Sequence, residues 1–180
     1  MIAEAAWQEF SLRKVLFIPS GDTPNKDMHH IDKNIRYAMV EKAIEGNGHF
    51  MISPIERDRQ GPSYTEDTIR ILQREFGDEY EFYFICGTDA VADLPTWKYN
   101  RELLSACHFI CASRPGNEIE IQKSIDYFGE LGREKIHFLK TPELAISSTI
   151  LRDWIAEKRS VRYLIPDAVI DMIRSNKLYE

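Results

Sequence analysis

The sequence predicts an α/β fold, a doubly wound parallel sheet within a single domain spanning residues 1–180, and three observations carry that expectation. The length suits one hydrophobic core. Segments with helical spacing alternate with short apolar runs almost from end to end, the pattern of βα units rather than of hairpins. The central apolar run, Phe82-Tyr83-Phe84-Ile85-Cys86, contains no alternating polar residue. That marks a strand covered on both faces, as parallel strands are.

Taken in order, Met1–Leu12 reads as a helix with Ala3, Ala6, Trp7 and Phe10 on one side, and Lys14–Ile18 as a strand ending in Pro19-Ser20-Gly21. Asp32–Ile44 is a helix expected to bury Ile35, Met39 and Ala43 and to stop at Gly46. A strand over Phe50–Ile55 leads into a charged loop, Glu56–Pro62. Ser63-Tyr64-Thr65-Glu66 has the capping-box pattern, opening a helix with Ile69, Leu72 and Phe76 inward and Gly77 as its stop. After strand Phe82–Cys86, Gly87 suits a tight turn and Asp89 an N-cap or a ligand-binding carboxylate. Leu94-Pro95-Thr96-Trp97 breaks the helix that follows. Glu102–Ala106 is a helical turn, His108–Ala112 a strand, Ser124–Leu131 weakly helical and Lys135–Leu139 the fifth strand. Helices Ser147–Lys158 and Pro166–Ser175 close the chain, with Pro166 suited to a first helical position. The chain opens on a helix with no strand before it. Since a crossover helix follows a strand, an initiating strand is expected to be absent.

Composition narrows the function classes. A net charge of −6 argues against a broad nucleic-acid surface, so an anionic ligand needs a local group of Arg and Lys. Three cysteines, Cys86, Cys107 and Cys111, lie in or beside apolar runs without a CxxC pair. They read as reduced core thiols of a cytoplasmic protein. No apolar run reaches membrane-spanning length and no signal peptide is visible. His29, His30, His49, His108 and His137 lack metal-ligand spacing, so no metal site is expected.

Ligands of open α/β sheets bind beyond the carboxyl ends of the strands, which directs attention to Gly87, Thr88, Asp89 and Trp97. The strongest local signal is Ile146-Ser147-Ser148-Thr149-Ile150-Leu151-Arg152. Hydroxyls and free amides at a helix start favour an anion, and Arg152, one turn in, can reach back toward it because helical side chains tilt that way. Simple capping beside a surface Arg explains the same residues. Lys26 sits in a loop after a strand, where a phosphate contact is useful and a solvated Lys is ordinary. Tyr64 and Thr65 offer a ring and free amides at a helix start, and Trp97 offers a face for a flat heterocycle or a core anchor.

The motifs IPSGDTPNK, GPSYTEDT, YFICGTDAVADLPTW, SRPG, ISSTILR and YLIPDAV occur in one order and resemble the bacterial nicotinate-nucleotide adenylyltransferases, members of a nucleotidyltransferase superfamily with a Rossmann-like fold. The resemblance runs from Met1 almost to Glu180. It implies transfer of AMP from ATP to nicotinate mononucleotide, giving deamido-NAD and pyrophosphate, with Mg2+ brought in with ATP. It implies ATP phosphate contacts from Lys26, Ser147, Ser148, Thr149 and Arg152. Gly87 and Asp89 are implied near the nucleotide's sugar and phosphate, Tyr64 and Thr65 at the nicotinate carboxylate, and Trp97 stacked on the pyridine ring.

Such families begin with a strand and a GGTFDPxHxGH turn whose two histidines meet the ATP phosphates. Met1 falls just past the position where HxGH would end, so the first, central strand and both catalytic histidines are expected to be absent from this chain. His29 and His30 lie in a different loop and do not replace them. By resemblance that strand belongs between the strands at 14–18 and 82–86, so these two are expected to flank a gap or to pair directly in an unusual way. A non-catalytic nucleotide-binding remnant and a nicotinamide-mononucleotide adenylyltransferase are the alternative readings. The oligomeric state stays open, a homo-oligomer included.

Overall fold

The computed structural model describes residues 1–21, 31–113, 118–141 and 146–179. In chain order the elements are α1 (Ile2–Glu9), β1 (Val15–Phe17), α2 (Lys33–Ile44), β2 (Phe50–Ile52), α3 (Ile55–Asp58), α4 (Thr65–Phe76), β3 (Tyr83–Gly87), α5 (Thr88–Asp93), a 3-10 turn at Leu94–Thr96, α6 (Asn100–Ala106), β4 (His108–Ser113), α7 (Glu118–Phe128), α8 (Glu130–Lys135), β5 (Ile136–Lys140), α9 (Ser148–Ala156) and α10 (Asp167–Ser175). All strand pairs are parallel, as the alternation of strands and helices predicted. The strands form two sheets, β1-β2 and β3-β4-β5, and no ladder joins β1 to β3 among the described residues, which is where a gap or an unusual pairing was expected.

The chain divides into two compact units. The first comprises residues 1–13 and 64–143 and is built on the three-stranded sheet. Its core is made by Phe109 and Ile110 of β4, Leu139 of β5, Val91 of α5 and Leu103 and Leu104 of α6, all essentially inaccessible to solvent. Removing side chains of that size from water stabilises the fold by roughly 1.5–3 kcal/mol each. Helix α1 buries Ala6 against Ile110 and Leu139, with Phe10 and Leu12 beside them, so its small-residue face lies where the spacing put it. Helices α7 and α8 meet so closely at Gly132 that a Cβ there would collide with the Ile125 backbone.

The second unit comprises residues 14–63 and 144–180. Phe17 of β1 and Phe50 of β2 meet edge to face at 5.0 Å. Helix α10 packs against α2 and buries Ile170 and Ile173.

Several local expectations change. Helix α4 starts at Thr65 with Tyr64 as its N-cap and no side-chain cap bond. Ser63 therefore stands one residue too early for a capping box. Its hydroxyl is buried without a partner, while Glu66 turns to Arg70 at 2.6 Å. Phe76 is 41% exposed and packs on Tyr80 and Phe82 instead of the core. In α2, Ala43 is exposed and Ile35 and Met39 are only half-buried. The charged stretch after β2 contains the short helix α3, and β2 ends at Ile52. The weakly helical 124–131 region is two helices, separated at Gly129, whose φ of +65° suits glycine. Pro166 is the N-cap of α10 rather than its first residue. Gly46 and Gly77, with φ of +86° and +79°, do end their helices as expected.

Candidate functional site

The expected site residues fall into two groups, one in each unit. In the first unit, β3 delivers Gly87, Thr88 and Asp89 at its carboxyl end. Asp89 is not the N-cap: α5 begins at Thr88 with Gly87 capping it, and Asp89 stands exposed in the first turn. Thr88 is buried and its hydroxyl bonds the Cys111 thiol, which fixes the turn from within. Gly87 does not serve a tight turn either. Its φ of −86° and ψ of 172° are open to any residue, and a Cβ built there meets nothing within 4 Å. What the glycine provides is bare, exposed backbone at the end of the strand.

Trp97 follows the 3-10 turn, its amide donating to the Leu94 carbonyl at 3.0 Å. Its ring meets Phe84 edge-on at 6.5 Å and is half-buried, which is neither a core position nor a free one. Tyr64 is 60% exposed at the start of α4, where its carbonyl accepts bonds from the Thr68 amide and hydroxyl. Lys98 joins the two motifs. Its ammonium lies 4.6 Å from the centre of the Tyr99 ring, and Tyr99 first, then Tyr64 and Glu66, hold its pKa above the ordinary value. The sequence reading missed this cation, although it directly follows Trp97.

In the second unit, α9 begins as its hydroxyl run suggested. Ser147 is the N-cap, its Oγ accepting from the Ile150 amide at 3.2 Å. The first amides of the helix have no intrahelical partner and are the anion-binding groups of such an end. Arg152 folds back along the helix, Nε donating to the Ser148 carbonyl at 3.1 Å and Nη2 to its hydroxyl at 3.2 Å. The guanidinium is thus held at the helix start beside the exposed Ser148 and Thr149. Lys26 lies outside the described residues, as do His29, His30 and the Arg114-Pro115-Gly116 segment.

Two further residues of this unit were not singled out by sequence. Arg36 of α2 donates to the Ser20 carbonyl (2.7 Å), the Ser20 hydroxyl (3.1 Å), the Gly21 carbonyl (2.8 Å) and the Ile31 carbonyl (3.3 Å). Tyr179, half-buried with φ of +65°, has its pKa raised by burial, against the pull of Arg152 and Arg36. Nothing in a helix of mixed polarity announces an Arg with so many inward bonds.

The other titratable groups lie elsewhere. Cys86 and Cys107 are pushed to about 12 and Cys111 to about 11, each chiefly by burial, so they are poor nucleophiles and fit the expected reduced core thiols. His108 and His137 sit near the amino ends of β4 and β5, 2.8 Å apart from Nδ1 to Nε2, under the Tyr83 ring. Lys135 Nζ approaches His108 Nε2 at 3.0 Å. An ammonium only donates, so His108 accepts at Nε2, carries its proton on Nδ1 and donates to His137. No group of three or more His, Cys, Asp or Glu is arranged to hold a metal among the described residues, and no described helix is long and apolar enough to cross a membrane.

A family model described as cytidylyltransferase-like matches residues 1–153. A protein of Moorella thermoacetica named probable nicotinate-nucleotide adenylyltransferase is 44% identical over 179 residues, 98% of this chain and 82% of that protein. Proteins of the same name from a Thermoanaerobacter species and Mycobacterium avium are 41% and 37% identical, covering 99% and 94% of this chain and 85% and 80% of their own lengths. Two structures of the Plasmodium falciparum nicotinic acid mononucleotide adenylyltransferase, complexed with APC and with NaAD, superpose with TM-scores of 0.72 and 0.73. Each covers 99% of this chain and 90% of that one at 18% identity, a likeness of fold. The parallel strands, the bare glycine that ends β3, the capped start of α9 and a match that covers nearly all of this chain agree, and the chain belongs to the cytidylyltransferase-like family, among the nicotinate-nucleotide adenylyltransferases.

Proposed function

We propose that this chain transfers the adenylyl group of ATP to nicotinate mononucleotide, giving deamido-NAD and pyrophosphate. The observation that carries the reading is identity of 44% across 98% of the chain with a relative of that name. In this reaction a phosphate oxygen of the mononucleotide attacks the α-phosphorus of ATP, a P–O bond forms, and the bond to pyrophosphate breaks. The protein's task is to place two anions together and to stabilise the charge that moves onto the leaving group.

The residues divide that task. The α9 start, with Ser147, Ser148, Thr149 and Arg152, takes the ATP phosphates, and Lys26 is a further phosphate contact. Gly87 gives the nucleotide close access to backbone, and Asp89 offers a carboxylate to the sugar. Tyr64 and Thr65 read the nicotinate carboxylate, Trp97 stacks on the pyridine ring, and Lys98 adds positive charge beside them. Mg2+ would arrive with ATP and offset charge on its phosphates, and the hydroxyl and carboxylate oxygens of these residues are donors of the kind so hard a cation takes. These residues act by binding and orientation. We read the protein as acting in the cytoplasm on small nucleotides.

The test is pyrophosphate release from ATP, measured with nicotinate mononucleotide and, separately, with nicotinamide mononucleotide. Release that requires the nicotinate nucleotide supports the reading. Preference for the nicotinamide form reassigns the substrate, and release with neither, together with no calorimetric binding of either, rejects it.

A further inference from the structure

We propose that Arg36 is a positioning residue that sets the Ser20–Gly21 turn, beyond the carboxyl end of β1, for nucleotide binding. The proposal rests on the adenylyltransferase reading above. Three bonds from one guanidinium draw together the Ser20, Gly21 and Ile31 carbonyls, and a fourth reaches the Ser20 hydroxyl. A planar fork holds such a set of carbonyls in fixed directions, which a point charge cannot. The turn is confined from a second direction as well. Gly21 is buried, and a Cβ on it would overlap the Glu56 carbonyl oxygen and lie 3.5 Å from the Ser63 hydroxyl. The backbone is therefore gripped between the Arg36 fork and the Glu56 carbonyl.

Its place in the fold gives this grip a purpose. In a parallel sheet the segment just past a strand's carboxyl end is where ligands are received. Arg36 and Arg152 both oppose the rise that burial gives the Tyr179 phenol's pKa. Arg36 spends its donors on protein carbonyls. It acts through the turn and does not touch substrate.

Three variants test this: Arg36→Met, Arg36→Lys and Gly21→Ala. Arg36→Met removes the fork while keeping an unbranched stem, and is expected to raise the KM for ATP by roughly ten- to a hundred-fold, in line with the cost of about 1 Å of misplacement. The KM for nicotinate mononucleotide should change far less, and Arg36→Lys should recover only part of the loss. Gly21→Ala, which disturbs the same turn from the other side, should reproduce the ATP-selective signature. Amide exchange by mass spectrometry over residues 15–21 should be faster in Arg36→Met than in the wild type, a readout independent of turnover. Unchanged exchange there, or equal loss for both substrates in Arg36→Met and Gly21→Ala, overturns the proposal. If Arg36→Met fails to fold, Arg36→Lys and Gly21→Ala decide the same question. A wild type without transfer would reject the activity reading, and the exchange comparison would then decide the grip by itself.

Discussion

Replacing Gly87 with alanine separates folding from function at the end of β3. The backbone there is extended, with φ of −86° and ψ of 172°, and a Cβ has no neighbour within 4 Å. Alanine therefore fits without strain or crowding, and by restricting the unfolded chain it should stabilise the protein by about 0.4–1 kcal/mol. For a chain of this size that is a rise in Tm of about 1–4 °C. The same methyl group projects into the space that leaves the strand end open to a nucleotide. If substrate backbone approaches Gly87, displacement on the order of 1 Å costs about 10²-fold in kcat/KM, or about 2.7 kcal/mol. Thermal melts and substrate titrations by calorimetry, run on both proteins, read the two effects separately. A raised Tm with unchanged affinity for both substrates would show that the bare strand end does not meet ligand, and a Tm lower by several degrees would contradict the open space around it.

Trp97→Ala should weaken nicotinate mononucleotide binding by about 1–3 kcal/mol, the worth of stacking on an aromatic face, with less effect on ATP; equal weakening of both substrates would instead mark Trp97 as an anchor for Phe84. Arg152→Ala should raise the ATP requirement with the fold intact, since among the described residues the guanidinium's hydrogen bonds stay within α9, and Arg152→Lys should restore part of the affinity. Wild-type kinetics in Arg152→Ala would remove it from the site. Burial first, then Lys135, hold the His108 and His137 pKa values below 6.5, so the folded protein binds fewer protons than the unfolded chain. Their contribution is present above about pH 6.5 and is lost as pH falls from there through the depressed folded values. Urea titrations between pH 8 and 5 should show stability declining, and the decline should shrink in His137→Gln; an identical slope in that variant would exclude the pair as its source.

How far the sequence reaches follows from the range of the forces involved. The apolar run at 82–86 was readable as a parallel strand, although its residues are half-buried and not covered on both faces as the run suggested. Gly46 and Gly77 ended their helices because left-handed backbone is a single-residue requirement. The return of Arg152 to Ser148 was readable too, being fixed by helix geometry within one turn. Motif order carried the family, and with it the expectation of a gap or an unusual pairing between β1 and β3.

Tertiary structure decided what spans more than a turn or depends on a one-residue shift. Helix α4 starts at Thr65, and that single step leaves Ser63 without a capping partner and frees Glu66 for Arg70. Gly87 turned out to matter for open space and not for its backbone angles, a distinction made by neighbours that no local pattern contains. The Lys135–His108–His137 chain joins residues from two strands and the helix between them, and Arg36 bonds carbonyls that precede it in sequence in the loop after β1. Propensity and capping act along a few residues of chain, whereas a hydrogen bond or an open space is set by whatever packing brings to that point.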